Sequence, residues 1–151
     1  MTHKLIADIG GTNVRFAQVS DTGISHIEKY LVADYPTIQD AIEQYFANNA
    51  EFTFSAVGLA IAAPANEDFV DFCNNHWSFS RADLQAALGL THLFVINDFT
   101  AVAHSLPVLS DDQIVQIGSG SVNPKGNIAV FGPGTGLGVE HLTLTQQGWQ
   151  T

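Results

Sequence analysis

Two stretches of the sequence combine glycine with threonine in a spacing suited to holding an anion. The first is Asp8, Ile9, Gly10, Gly11, Thr12 and Asn13, which follows the apolar run Leu5, Ile6, Ala7. Adjacent glycines let a backbone approach a ligand closely and aim successive N–H groups at it, so an anion is held without a lysine. The Thr12 hydroxyl adds a donor. Asp8, at the end of an expected strand, is placed to orient a magnesium ion through water, since magnesium keeps several of its waters. A plain tight hairpin uses Gly-Gly equally well, so this segment alone leaves both readings open.

The second stretch is Gly132, Pro133, Gly134, Thr135, Gly136, Leu137 and Gly138. It has four glycines in seven residues between apolar runs, more than a hairpin needs, and each glycine weakens a strand. A backbone cradle built around Gly134, Thr135 and Gly136 is the better explanation. Neither stretch is a P-loop, because no Gly-Lys-Ser or Gly-Lys-Thr occurs. Neither opens a GxGxxG strand-to-helix unit, because each is followed by a further strand-like run. Two such hairpins clasping a phosphate tail is the remaining arrangement.

Asn97 and Asp98 form a third candidate, between the runs LFVI and FTAVAHSL. Ligands of α/β sheets collect at the carboxyl ends of strands, so a carboxylate there is placed for chemistry. Taken alone, Asp98 serves equally well as a helix cap. The neighbouring Asn97 amide suits the polar edges of a sugar. Asn74, Asn75, His76 and Trp77 make a polar and aromatic knot that either borders a carbohydrate site or is a buried turn with satisfied amides. The six histidines lack metal-ligand spacing, and Cys73 has no partner cysteine. No nucleophile elbow is present.

Charge narrows the function classes. Fifteen acidic residues stand against 5 basic ones, for a net charge of -10. Nucleic acid is therefore repelled, and any nucleotide site must rely on backbone N–H groups and a metal ion. With 46% hydrophobic and 13% charged residues the composition is that of a folded globular chain. The opening apolar run is short and broken by Asp8, and no run approaches the roughly 20 apolar residues of a membrane span. No membrane partner and a cytoplasmic location are the expectations.

The elements that would position these residues follow from periodicity. LIADI, NVRFAQVS and ISHIEKYLVA read as an antiparallel meander, with Val14, Phe16 and Val19 largely on alternate positions. Residues 36–49 place Ile38, Ala41, Ile42, Tyr45 and Phe46 at helical spacing. SAVGLAIAAP suits a strand buried on both faces. After a β-like FVDF, Ser80 caps a helix with Asp83 at its third position and Gly89 at its end. HLFVIN is a strand and FTAVAHSL a helix stopped by Pro107. This order predicts an α/β layered domain.

SDDQIVQIG and residues 127–144 read as new strands around a polar loop, 118–126. Residues 5–16 and 128–139 superpose without gaps as strand, glycine turn and strand, with Gly11 on Gly134 and Thr12 on Thr135. Two lobes are expected: residues 1–110, with the first turn and Asp98, and residues 111–151, the start of the second. Apolar strand edges in residues 127–145 would pair with another copy, making a homodimer.

DIGGTN, Ile61 to Pro64, Asn74 to Trp77, INDFTA and GPGTGLG together resemble the N-terminal part of bacterial glucokinases, in the actin-like hexokinase superfamily. The resemblance runs through nearly the whole chain. It implies a ribonuclease H-like/actin-like ATPase fold, with a mixed sheet and helices on both faces. It also implies transfer of the ATP γ-phosphoryl group to the 6-hydroxyl of glucose with Mg²⁺. In that reading Asp98 is the general base and Asn97, with Asn74, binds the sugar. Residues Asp8 to Asn13 and Gly134 to Gly136 hold phosphates. Pro133 and Asn75 depart from the pattern, the latter where histidine is common. The resemblance further implies a later Gly-Glu-Gly-Gly-His segment and an adenosine-binding lobe, so these 151 residues are expected to be inactive alone. A non-catalytic sugar- or nucleotide-sensing module, or a kinase for another hexose, is the alternative.

Overall fold

A computed structural model describes residues 3–133 and 137–151. Its packing separates two compact units, residues 1–98 and 99–151.

In the first unit, β1 (His3–Ile9), β2 (Asn13–Ser20) and β3 (Gly23–Leu31) form the expected meander. Gly23 closes the second turn at φ +111, a conformation favouring glycine. Alternation in β2 breaks because the register with β3 shifts between Phe16 and Gln18, and Phe16, Ala17 and Gln18 are all buried. Val32 and Ala33, expected as the end of β3, belong instead to a 3₁₀ turn, Val32–Asp34.

Helix α1 (Ile38–Asn48) starts at Thr37, whose side chain and that of Asp40 cap each other's backbone N–H groups. Ile38, Ala41, Ile42 and Tyr45 are fully buried with Leu5, Ile9, Val14 and Phe16, each large side chain contributing roughly 1.5–3 kcal/mol. The Tyr45 hydroxyl donates to His26 O at 2.7 Å, and burial pushes its pKa up to about 12. At the other end of α1, Asn48 and Asn49 donate to Glu28 on β3.

Strand β4 (Phe54–Ile61) runs parallel to β1. Val57, Leu59 and Ile61 are buried, whereas Ala56, Gly58 and Ala60 on the alternate face are half-buried, so the expected burial on both faces is not reached. That second face also leaves Ile6 38%, Phe94 63% and Ile96 40% exposed. A short hairpin, β5 (Phe69–Asp71) with β6 (Ser78–Ser80), leads to α2 (Arg81–Ala87). Ser80 caps α2 by accepting from Asp83 N at 3.2 Å, and Gly89 follows its end at φ +63. Strand β7 (His92–Asn97) adds in parallel to β4, giving a mixed sheet of order β3-β2-β1-β4-β7.

The second unit has a smaller core. Helix α3 (Asp98–Ser105) is followed by a 3₁₀ turn containing Pro107. Strands β8 (Ile128–Pro133), β9 (Leu137–Thr145) and β10 (Gly148–Gln150) form an antiparallel sheet. Ala103, Val130 and Leu142 are buried together, with Phe99, Leu106 and Trp149 packed around them. Ala103 of α3 is buried in this cluster, and the division of the packing falls between Asp98 and Phe99.

The strand expected at SDDQIVQIG does not form. Ser110 instead caps a 3₁₀ turn at Asp111–Gln113, and Ile114, Val115 and Ile117 are 52%, 86% and 95% exposed. A strand needs a ladder partner, and among the described residues this segment has none.

Candidate functional site

The three parallel strands of the first unit end at one edge. The register pairs Ile9 of β1 with Ile61 of β4, and Ile61 with Asn97 of β7. At strand spacings of about 4.8 Å, the backbone leaving β1 lies roughly 10 Å from that leaving β7. The glycine turn and Asp98 are thus brought to the same carboxyl edge, where α/β sheets bind ligands.

The turn from β1 to β2 is a tight hairpin. Gly10 N donates to Asn13 O at 2.9 Å, and Val32 N donates to Thr12 O at 3.0 Å. The N–H groups of Gly11 and Thr12 make no hydrogen bond among the described residues. The two glycines have different local reasons. A Cβ on Gly11 would lie 2.9 Å from Asn74 O, so packing against that backbone excludes a side chain. A Cβ on Gly10 would meet only Asn13 O at 3.5 Å, an ordinary contact, so the fold itself tolerates alanine there.

Asp8 pairs with Arg15 across the hairpin, Arg15 Nη1 donating to Asp8 Oδ2 at 3.0 Å on an exposed surface. Asp98 is the first residue of α3, half-buried, one position beyond β7. The Asn97 side chain turns toward the end of β4, with Nδ2 at 3.4 Å from Ile61 O and 3.5 Å from Ala63 O.

The 74–77 knot reaches the same edge. Trp77 is 1% exposed, and its indole N–H donates to Tyr35 O at 3.0 Å. His76 Nε2 donates to the same carbonyl at 3.0 Å. Asn75 Oδ1 accepts from Trp77 N at 2.8 Å, while its Nδ2 donates to Gly10 O at 3.2 Å. The aromatic member of the knot is therefore core, and the two asparagines contact the glycine turn.

In the second unit, Gly132 pairs with Gly138 and Pro133 with Leu137. A Cβ added at Gly132 or Gly138 would overlap the ring of Phe99. These two glycines are explained by close aromatic packing and do not need a ligand. Gly134, Thr135 and Gly136 lie outside the described residues. Thr100 Oγ1 donates to Glu140 Oε2 at 3.1 Å, and the Glu140 carboxyl titrates below its ordinary range, chiefly because His141 N donates to it.

Among the described residues, no group of three or more His, Cys, Asp or Glu side chains is close enough to hold a metal. Asp8, an exposed carboxylate beside the turn that is paired with Arg15, fits only an ion that arrives mostly hydrated and bound to phosphate. No helix among these residues is long and apolar enough to cross a membrane.

Sequence reasoning passed over Arg15 and the bracing by Asn75. The first was accessible: a two-residue turn at Gly11 and Thr12 places Asp8 opposite Arg15.

A mixed sheet with helices and glycine turns is the architecture of actin-like sugar kinases, and solved structures agree. A glucokinase from an Antarctic psychrotroph superposes with a TM-score of 0.89 at 34% identity, over 99% of this chain and 49% of that one. A ROK family glucokinase from Streptomyces griseus, solved with glucose and AMPPNP, matches in fold with a TM-score of 0.63 at 22% identity, over 93% of this chain and 44% of that one.

The chain belongs to the glucokinase family, whose model matches residues 5–151. It is 42% identical over 149 residues to the glucokinase of Tolumonas auensis, covering 97% of this chain and 46% of that protein. To the glucokinase of Pectobacterium atrosepticum it is 43% identical over 152 residues, covering 99% and 47%. The chain spans about half the length of these relatives.

Proposed function

We propose that this chain is the part of an ATP-dependent glucokinase that supplies the first phosphate turn and the general base, within a protein that phosphorylates glucose at its 6-hydroxyl. The observation that carries this reading is the shared edge. The Gly10 to Thr12 turn and Asp98 leave parallel strands β1 and β7, on either side of β4, at the same end, roughly 10 Å apart by strand spacing. That separation suits a nucleotide phosphate tail at one point and an acceptor alcohol at the other.

Gly11 and Thr12 N–H groups would donate to phosphate oxygens, with the Thr12 hydroxyl beside them and Asp8 and Asn13 flanking. Asn74 and Asn97 would orient the sugar. Asp98 would accept the proton of the 6-hydroxyl as that oxygen bonds to the γ-phosphorus, while the bond to the ADP oxygen breaks. An aspartate is a weak base toward an alcohol, but the transition state is loose and the proton leaves late, so positioning dominates. Magnesium, held through water beside Asp8, would neutralise charge on the phosphates. Gly134, Thr135 and Gly136 are proposed as the second phosphate turn on their repeat of the first. The lobe boundary near residue 110, a homodimer and a cytoplasmic location belong to the same proposal.

Steady-state kinetics of the full-length enzyme carrying Asp98→Asn test it. A fall in kcat of roughly 10²–10⁴ is expected, the usual worth of a general base. Near wild-type turnover would leave Asp98 as a helix cap and remove it from the chemistry. Binding of glucose and MgATP by the wild type without turnover would favour a sensor.

A further inference from the structure

We propose that Asn75 is a positioning residue that sets the direction in which the Gly11 N–H points. The proposal rests on the reading of the Gly10 to Thr12 turn as a phosphate site.

A Gly-Gly peptide has little intrinsic preference for orientation, because both residues tolerate most backbone angles. In a trans peptide the C=O of one residue and the N–H of the next point in opposite directions. Fixing the Gly10 carbonyl therefore fixes the Gly11 N–H on the opposite side. Gly10 N is already held by Asn13 O at 2.9 Å. The Gly10 carbonyl is held by Asn75 Nδ2 at 3.2 Å. Asn75 is in turn locked, because its Oδ1 accepts from Trp77 N at 2.8 Å and Trp77 is 1% exposed with its indole bonded to Tyr35 O. The chain of contacts runs from a fully buried indole to a peptide whose N–H, that of Gly11, makes no hydrogen bond among the described residues. Asn74 O lies against Gly11, 2.9 Å from where a Cβ would stand.

The two bonds of Asn75 separate cleanly by mutation. The bond to Trp77 N is a local turn between a side-chain oxygen and the N–H two residues on, which serine also makes. Serine is too short to span to Gly10 O. Asn75→Ser thus keeps the knot folded and removes only the hold on the carbonyl.

The experiment has two arms. In the first, ¹⁵N and ¹³C resonances of Gly10 and Gly11 are recorded for wild type and Asn75→Ser with no nucleotide present. The variant should show a displaced Gly10 carbonyl and Gly11 amide with Trp77 unmoved; unchanged Gly10 and Gly11 signals would overturn the inference whatever the site binds. In the second, kinetics of the full-length enzyme should show the KM for MgATP raised roughly tenfold, the worth of one hydrogen bond. The KM for glucose and kcat should stay within about twofold, as expected for a residue that acts only on ground-state and transition-state binding alike. A fall in kcat with an unchanged KM for MgATP would overturn the positioning role. Gly10 and Gly11 resonances of the wild-type protein that do not respond to MgATP would instead refute the phosphate reading of the turn.

Discussion

The two glycine turns repeat one another in sequence and differ in what their glycines are for. At the first, Gly11 is small because Asn74 O lies against it, while Gly10 has room for a Cβ that the chain does not use. At the second, Gly132 and Gly138 are small because the Phe99 ring occupies the space above both. Counting glycines treats these positions as equal, whereas the space around each Cα separates packing from ligand approach. Only a glycine that the surrounding protein does not require points to something else binding there.

The supports beneath the turns differ as well. Under the first lie Trp77, Ile9, Val14 and Ile61, all nearly or fully buried in one continuous core. Beside the second lies the small cluster of Ala103, Val130 and Leu142. Trp77→Ala should therefore have the largest effect, about 3–5 kcal/mol from a buried cavity. A loss below about 1 kcal/mol in denaturant unfolding would show that the knot does not carry the first turn.

Gly138→Ala comes next, at about 1–3 kcal/mol from overpacking against Phe99. Combining it with Phe99→Leu should recover most of that loss, because residues in contact couple. Additive losses would break the aromatic explanation. Gly11→Ala should cost about 1–2 kcal/mol, since a Cβ there would lie 2.9 Å from Asn74 O and that backbone must shift; no measurable change would remove Asn74 as the reason for that glycine.

The smallest effect concerns the frame behind the first turn. Burial raises the pKa of Glu28, but hydrogen bonds from Tyr30, Asn48 and Asn49 outweigh it, so the carboxyl titrates below its usual 4.5. The stability this provides is complete above the usual value and is lost as the pH falls through the lower, folded value. Glu28→Gln should cost less than about 1 kcal/mol at neutral pH, given its exposure, and the difference from wild type should vanish in acid. A difference that persists at pH 2 would mean that packing, not charge, is responsible.

Much of this was legible in the residues. The meander, the Ser80 cap, the Gly89 stop and the strand-to-helix junction at Asp98 follow from local chemistry and appear where expected. SDDQIVQIG misled because its β-rich composition says nothing about whether a partner strand is available. β4 misled because an apolar run does not distinguish alanine and glycine on a half-covered face from valine and leucine in a core. For the candidate site, the edge shared by Gly10 and Asp98 depends on the register of β1, β4 and β7, which no local pattern encodes. Asn75 is legible only as a member of the 74–77 knot and as a departure from the family, since its contact with Gly10 O joins residues 65 positions apart in the chain.

The central claim is that Gly10 is glycine for a phosphate and not for the fold. Thermal unfolding and MgATP kinetics of the full-length Gly10→Ala enzyme test it together. The account predicts a melting temperature within about 2 °C of wild type, as for a tolerated substitution, and a KM for MgATP raised at least roughly tenfold, the loss of a close backbone approach. An unchanged KM in a variant that folds normally would contradict it.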